Sequence, residues 1–174
     1  MPTPERTTLA EIVAAARELL ELGGPAHITM QAVADRVGVR PPSLYKRVRD
    51  REALILLVAE ATVEDIGARL RASDRTLAEL ARVYRAFAHE RPEGFRLVFA
   101  ASGAAESMGR AVAPVLEATR ALVGEERSLD AARLFTAWAT GFISMELAGA
   151  FRLGGDIDAA FEFGLERLEV GLHT

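Results

Sequence analysis

The stretch that decides the fold is MQAVADRVGVRPPSLYKRVRDR, Met30–Arg51. Its apolar spacing and central glycine predict two short helices joined by a tight turn. Residues 27–51 include six basic and two acidic side chains, a net charge of +4, whereas the whole chain carries −4 and the remainder therefore −8. A cationic segment on an anionic protein indicates local contact with a polyanion.

Three small or apolar positions in this stretch have the order that a helix-turn-helix requires. Ala34 is the small residue of the first helix, Gly38 permits the left-handed turn, and Leu44 is the apolar residue of the second helix that faces the core. The small residue lets the second helix cross closely, and the second helix enters the major groove of DNA.

The outward side chains of the second helix are the predicted DNA contacts. Arginine and lysine donate to guanine or to phosphate, whereas threonine and tyrosine hydroxyls suit phosphate. Arg51 opens the next helix, where its charge and free backbone N–H groups favour a phosphate. The predicted DNA-binding set is Thr29, Arg40, Pro41, Pro42, Ser43, Tyr45, Lys46, Arg47 and Arg51. The alternative is a helical hairpin whose basic face is only solvated.

Composition predicts an all-α protein. Half of the 174 residues are hydrophobic, good helix formers dominate, and no segment alternates strictly over the length of a strand. The absence of cysteine excludes disulfides, thiolate metal sites and a cysteine nucleophile. No apolar run approaches the roughly 18 residues of a membrane span, and the N-terminus lacks the apolar core of a signal peptide. We therefore expect a cytoplasmic protein with no membrane partner.

Capping signals and breakers divide the chain into helices. Thr7 or Thr8 caps the first helix, with Glu11 completing a capping box in the case of Thr8. Gly23–Pro25 ends that helix, and Thr29 caps the second. Further helices are expected at residues 51–70, 75–90, 93–101, 105–123 with a break at Pro114, 129–153, and 156–172 with Asp156 as cap. We expect a DNA-binding domain at residues 1–50 and a helical regulatory and dimerisation domain at residues 51–174, with residues 51–70 as the connecting helix.

The segment GVRPPSLYKRVRDREALI, residues 38–55, resembles the recognition helix of the TetR family of one-component transcriptional regulators. The matching residues are Ser43, Leu44, Tyr45 and the Glu-Ala-Leu of residues 52–54. ITMQAVADRVGV, residues 28–39, resembles the family's second helix. Val48 replaces the commoner phenylalanine and Arg51 the usual lysine. The resemblance implies an N-terminal three-helix DNA-binding domain and a C-terminal helical ligand-binding and dimerisation domain.

The C-terminal part resembles a TetR-family domain with a Trp-His-Gly signature. The segments that carry this resemblance are WATGF, MELAGAF and FGLERLEVGL, residues 138–142, 145–151 and 163–172. Thr140 stands in the position of the signature histidine, so a role of that histidine is not carried over.

Two C-terminal helices are apolar on more than one side, which predicts a second partner surface. Two copies would form a four-helix bundle and place two recognition helices about 34–36 Å apart. The expected dimer interface is Phe135, Phe161, Gly164, Leu165, Leu168 and Leu172. The alternative is a monomer with a thick core.

Large apolar side chains in the same part of the chain predict a ligand cavity between helices. The expected lining is Tyr84, Phe87, Phe99, Met108, Leu116, Trp138 and Phe142. The resemblance implies a small effector there, which would shift the separation of the recognition helices. The alternative is that these residues are ordinary core.

A catalytic function is not expected. His27, His89 and His173 are far apart, and the common nucleotide, hydrolase and zinc-protease motifs are absent from the sequence. We expect no cofactor and no metal. The sequence predicts a homodimeric regulator, more a repressor than an activator, that a small effector releases from a palindromic operator. The alternative is a helical protein-interaction module that no longer binds DNA.

Overall fold

The computed structural model describes residues 7–100 and 109–172, apart from the side chain of Ala100. All regular secondary structure in these ranges is helical, which confirms the all-α prediction. The helices are α1 (Leu9–Gly23), a short 3₁₀ turn (Pro25–His27), α2 (Met30–Arg36), α3 (Pro41–Leu44), α4 (Arg51–Ala72), α5 (Leu77–Glu90), α6 (Pro92–Ala100), α7 (Ala113–Val123), α8 (Glu125–Leu147) and α9 (Ile157–Leu172).

Side-chain caps begin the helices at the predicted residues. The hydroxyl of Thr8 accepts from the Glu11 N–H at 3.2 Å, and the Glu11 carboxylate accepts from the Thr8 N–H at 2.7 Å. The Thr29 hydroxyl accepts from the N–H of Ala32 at 3.0 Å. Asp156 accepts from the N–H of Ala159 at 3.1 Å. The three predicted caps are confirmed.

The boundaries of α7 and α8 differ partly from the prediction. Pro114 lies in the first turn of α7, so the helical pattern breaks there as predicted. The predicted helix bounds of 105–123 and 129–153 leave residues 124–128 in a loop, and this is wrong because Glu125 and Glu126 form the first turn of α8. Carboxylates are favourable at a helix N-terminus, and Gly124 at φ 79° makes the turn from α7 by itself. α8 also ends at Leu147, six residues before the predicted end.

The first compact unit contains the described residues up to Asp65 and those from 91 to 100. It therefore includes α1 to α3, most of α4, and α6. Its buried core brings together apolar residues from all of these helices: Ile12, Ala16, Leu20, Ile28, Val33, Ala34, Leu44, Val48, Leu54, Val58 and Leu97. We call residues 40–47 the recognition segment. Its buried side thus shares one core with α1 and α6.

The second compact unit contains Ile66–Glu90 and residues 109–172. Its core includes Phe87 from α5, Val115 from α7, Phe135 and Ile143 from α8, and Phe161 from α9. The predicted functional boundary after residue 50 stays a prediction. The compact units divide the chain later, within α4, and return α6 to the first unit.

Ion pairs join α5 to α8 and α9 inside this second unit. Arg85 donates to Glu146 at 2.5 Å and to Asp158 at 2.6 Å, and Arg82 donates to Glu162 at 2.7 Å. The Arg85 guanidinium holds the pKa of the Glu146 carboxyl below its usual value, and the bond to Glu146 raises the pKa of Arg85. These pairs fix how the helices of this unit pack. No helix among the described residues has the length and apolar character needed to cross a membrane.

Candidate nucleic-acid interface

The turn of the helix-turn-helix depends on Gly38. Its φ of 70° lies in the left-handed region, which glycine adopts without a Cβ penalty. The N–H of Val39 donates to the carbonyl of Ala34 at 2.9 Å across the turn, and the N–H of Val37 donates to Val33 at 3.0 Å. These bonds end α2 and redirect the chain, as the sequence predicts.

Buried residues on both sides of the turn hold the two helices together. Ala34, Val33 and Leu44 are fully buried, and Val48 is 3% exposed. The second helix is shorter than the predicted segment of residues 40–47. α3 has a single helical turn, Pro41–Leu44, and the chain continues as a hydrogen-bonded turn in which the Arg47 N–H donates to Leu44 at 2.8 Å.

The predicted contact residues of this segment lie on its outer surface. Leu44 is directed inward, whereas Tyr45 is 53% exposed. Pro41 is half-buried, and the other members of this group are exposed: Arg40, Pro42, Ser43, Lys46 and Arg47. A short segment therefore presents two prolines, two hydroxyl groups and three cations to solvent.

Ion pairs separate the cations of this region into two groups. Arg36 donates to Glu18 at 2.5 Å, and Arg49 donates to Asp50 at 2.5 Å. Within residues 7–100 and 109–172, by contrast, Arg40, Lys46 and Arg47 form no ion pair. The net charge of +4 counted in the sequence is therefore spread unevenly, and the uncompensated charge is concentrated at residues 40–47.

Arg51 has structural partners that the sequence did not reveal. Its Nε donates to the carbonyl of Ile28 at 2.7 Å, and its Nη2 donates to the carbonyl of Pro25 at 2.5 Å. The Asp50 carboxylate accepts from the N–H of Ala53 at 2.7 Å, and its bond to Arg49 helps to lower the pKa of Asp50. The expectation of free N–H groups at the start of α4 is therefore wrong for Ala53. The phosphate contact of Arg51 stays a prediction.

The predicted ligand residues are only partly brought together. Tyr84 and Phe87 lie in α5, Leu116 in α7, and Trp138 and Phe142 in α8, all in the second unit. Phe99 instead lies in α6 of the first unit and is 54% exposed. Met108 lies outside the described residues.

Tyr84 is the polar member of this aromatic set. Its hydroxyl lies 3.3 Å from Oγ1 of Thr140, the residue at the position of the signature histidine. Burial raises the pKa of Tyr84 from 10.0 to about 12. Three open depressions of 380 to 570 Å³ lie on this unit, and none of these three is lined by the predicted aromatic set.

The predicted dimer residues need a correction. Phe135, Phe161 and Leu165 are at most 3% exposed within a single chain, so they form its own core and offer no area to a second copy. Gly164 is held against Trp138, whereas Leu168 and Leu172 are half-buried.

Other apolar residues of α8 and α9 are the exposed ones. Leu134, Met145, Phe163 and Val170 have exposed fractions of 48% to 62%. The sequence signal for them was that both helices are apolar on more than one side. Periodicity alone did not show which side faces the core.

Within the part of the chain that the structure describes, no group of histidine and carboxylate side chains is arranged to hold a metal ion. The geometry offers a glycine turn, a buried seam and an exposed cationic segment. These features define a helix-turn-helix DNA-binding protein.

Comparison with known proteins identifies its family. Residues 12–58 match the family described as bacterial regulatory proteins, tetR family, and residues 77–168 match the tetracyclin repressor-like C-terminal domain. The chain belongs to the TetR family. It is a transcriptional regulator with a helix-turn-helix DNA-binding domain, and it is not an enzyme.

Relatives match nearly the full length of the chain. An uncharacterized HTH-type transcriptional regulator of Mycobacterium tuberculosis, Rv0681, is 28% identical over 97% of this chain and 83% of its own length. The crystal structure of Mycobacterium smegmatis BioQ has a TM-score of 0.71 at 27% identity and covers 96% of this chain and 98% of that one. A single-substitution variant of TetR from Acinetobacter baumannii AYE, solved in complex with minocycline, has a TM-score of 0.69 at 25% identity and covers 95% and 96%.

Proposed function

We propose that the protein is a homodimeric repressor that binds a short palindromic operator and is released from it by a small, mostly apolar effector. The observation that carries the DNA part of this proposal is a group of three exposed cations, Arg40, Lys46 and Arg47, that form no ion pair with any described residue. An uncompensated cation gains more from a phosphate or a guanine edge than one that must first leave a carboxylate.

The other residues of the segment have supporting roles in the proposed complex. Ser43 donates to or accepts from a base edge, and the hydroxyls of Tyr45 and Thr29 donate to phosphate. Thr29 uses an oxygen lone pair for its cap, which leaves its proton available for that contact. Pro41 and Pro42 fix the direction in which the segment leaves the turn.

The exposed apolar residues of α8 and α9 support pairing through these two helices. A phenylalanine that is 62% exposed, as Phe163 is, loses hydrophobic free energy unless another surface covers it. Gly141 adds a second argument, because a Cβ there would have no atom of the described residues within 4 Å. A glycine inside a helix costs about 1 kcal/mol relative to alanine, so its small size is explained by the close approach of a second copy.

The revised interface that we propose consists of Leu134, Gly141, Met145, Phe163, Leu168, Val170 and Leu172. A twofold axis through it would present two recognition segments to one face of a duplex and explain a palindromic operator.

The effector is proposed to bind among the aromatic residues of the second unit, Tyr84, Phe87, Leu116, Trp138 and Phe142, with Met108 as a further predicted lining residue. The minocycline complex of a TetR variant supports a small-molecule effector for a member of the same family. Release from DNA requires only that the effector bind the non-binding conformation more tightly. Since the operator is bacterial DNA, we propose that the protein acts in the cytoplasm.

Salt-dependent binding to DNA tests the first half of this proposal. The wild-type dimer selects duplexes from a random-sequence library, and the affinity for the selected duplex is measured between about 50 and 200 mM salt. We expect a steep fall, because each phosphate contact contributes about 0.9 to the log–log slope. A slope near zero would favour the protein-interaction module instead.

Arginine variants then locate the contact. We expect Arg40→Ala with Lys46→Ala to weaken binding by at least about 30-fold, because each specific contact contributes roughly 1–3 kcal/mol and about 1.4 kcal/mol is a factor of ten. Arg36→Ala with Arg49→Ala is the matched control, because it removes the same two positive charges from residues that are paired with Glu18 and Asp50. Equal losses of affinity in this control and in the Arg40/Lys46 variant would contradict the assignment to residues 40–47. A thermal-shift screen of small molecules tests the effector.

A further inference from the structure

We infer that Glu21 is a positioning residue that joins α6 to the DNA-binding helices and thereby sets operator affinity. The inference rests on the proposed function and concerns how that function is regulated. It comes from a contact in the first unit that neither the recognition segment nor the dimer surface uses.

One carboxylate accepts two hydrogen bonds from the start of α6. Glu21 Oε2 accepts from the N–H of Glu93 at 3.1 Å, and Oε1 accepts from the N–H of Gly94 at 2.9 Å. Pro92 has no N–H, so these are the first two donors of the helix. Glu21 lies 72 and 73 residues before its partners, so this cap joins α1 to α6 and is not a local capping motif. A carboxylate at a helix N-terminus is favoured by the helix dipole and by the charge on the acceptor.

Gly94 makes the close approach possible. It is buried, and a Cβ at this position would lie 3.0 Å from Glu21 Oε1 and 3.3 Å from Cγ2 of Thr62 in α4. A Cβ there would therefore require the Glu21 carboxylate and the Thr62 methyl group to shift by a few tenths of an ångström. Glu21 and Gly94 therefore form a close joint between α1 and α6, which depends on the small size of glycine.

The same joint is continuous with the core beneath the recognition segment. Leu97, one helical turn beyond Gly94, is 4% exposed and belongs to the cluster that contains Ile12, Leu20 and Leu44. Leu44 is the buried residue of α3. Loosening α6 therefore removes packing from the core that orients the three cations of the recognition segment.

The joint lies at a point in the chain where a movement in the second unit can affect the first. The chain passes from the second unit back into the first between Glu90 and Arg91, and α6 begins at the next residue. A displacement at the end of α5 reaches the first unit through Pro92 and the two N–H groups that Glu21 holds. An effector that moves the end of α5 would thus act on the bonds of Glu21, and the coupling is reciprocal with DNA binding.

The experiment compares Glu21→Ala and Glu21→Gln with Asp65→Asn in the full-length dimer. Asp65→Asn breaks the 2.6 Å ion pair with Arg17, which joins α1 to α4 of the same unit, and removes the same negative charge. Operator affinity is measured on the duplex selected by the wild type, well below each unfolding temperature. Amide hydrogen exchange is measured over residues 91–97.

We expect Glu21→Ala to accelerate exchange at Glu93 and Gly94 and to weaken operator binding by about 10-fold, a typical size for a coupling between sites. Glu21→Gln should be intermediate, because its single amide oxygen accepts only part of the interaction. Asp65→Asn should keep operator affinity within about twofold, although its unfolding temperature should fall by about as much as that of Glu21→Ala.

Two results would overturn the inference while leaving the proposed function intact. One is faster exchange in α6 with wild-type operator affinity. The other is an equal loss of affinity in Asp65→Asn, which would make the effect one of general stability. If the wild type selected no duplex at all, the proposed function would fail, and the inference with it.

Discussion

A Cβ atom at Gly164 would lie 2.7 Å from Cζ2 of Trp138, so the indole ring occupies the space that any side chain at this position of α9 would need. The same ring stacks on Phe161 with their centroids 5.2 Å apart. Gly164 therefore sets how closely α9 packs on α8 in the second unit, and its role is internal to one chain.

Gly164→Ala should destabilise the second unit by about 1–3 kcal/mol, because the added methyl group forces the indole out of its packed position. Urea unfolding followed by circular dichroism measures the loss. In a Trp138→Phe background the smaller ring leaves room, so the same substitution should cost less there. Equal costs in both backgrounds would show that the ring is not what excludes the methyl group.

The raised pKa of Tyr84 predicts that the protein loses stability at alkaline pH. Its pKa is raised to about 12 in the folded protein, so between pH 10 and pH 12 the unfolded chain has lost the phenolic proton and the folded protein has kept it. The free energy of unfolding should therefore fall as pH rises through this window, by up to about 3 kcal/mol.

Chemical unfolding at about pH 9 and about pH 11.5 measures this dependence, and Tyr84→Phe is its control. The phenylalanine variant should lose about 1 kcal/mol at the lower pH with the hydrogen bond to Thr140. It should also show a shallower decline in alkali. A decline as steep as that of the wild type would assign the alkaline loss to another group.

Substitutions of Arg51 and Arg47 should affect different properties, the first stability and the second DNA binding. Arg51→Ala removes the donors to the carbonyls of Ile28 and Pro25, so it should destabilise the first unit by about 1–3 kcal/mol. Arg47→Ala should change stability by less than about 0.5 kcal/mol while weakening DNA binding. Unfolding curves and DNA titrations of both variants separate the two roles. Unchanged stability in Arg51→Ala would show that its bonds to the carbonyls of Ile28 and Pro25 do not stabilise the first unit.

A charge on the exposed side of α9 should dissociate the dimer without unfolding the chain. We expect Phe163→Asp to sediment as a folded monomer, because Phe163 is 62% exposed and contributes little to its own core. Leu165→Asp should instead unfold the second unit, because Leu165 is 2% exposed and a buried unpaired carboxylate is costly. Sedimentation velocity with circular dichroism measures both properties. A folded dimer in Phe163→Asp would rule out the revised interface.

The helix-turn-helix was predictable because its signals are close together in sequence. Gly38 takes the positive φ that its place between two helical patterns implies, and Leu44 is buried where the pattern requires. The length of α3 was harder to predict, since propensity does not show how far a short helix continues after two prolines. Three of the predicted dimer residues, Phe135, Phe161 and Leu165, lie on the buried side of their helices, which periodicity alone did not show.

The sequence by itself determined the features that depend on residues within about four positions of each other, such as helix caps and helix breaks. Thr8, Thr29 and Asp156 cap their helices and Pro114 breaks the pattern, because each effect acts on a nearby backbone group. Only the tertiary structure decided which arginines keep an uncompensated charge and which apolar residues stay exposed. Arg36, for example, is paired with a glutamate 18 residues away, and the two side chains meet only because the helices pack. The bond between Glu21 and the N–H of Gly94, 73 residues apart, depends on the same packing.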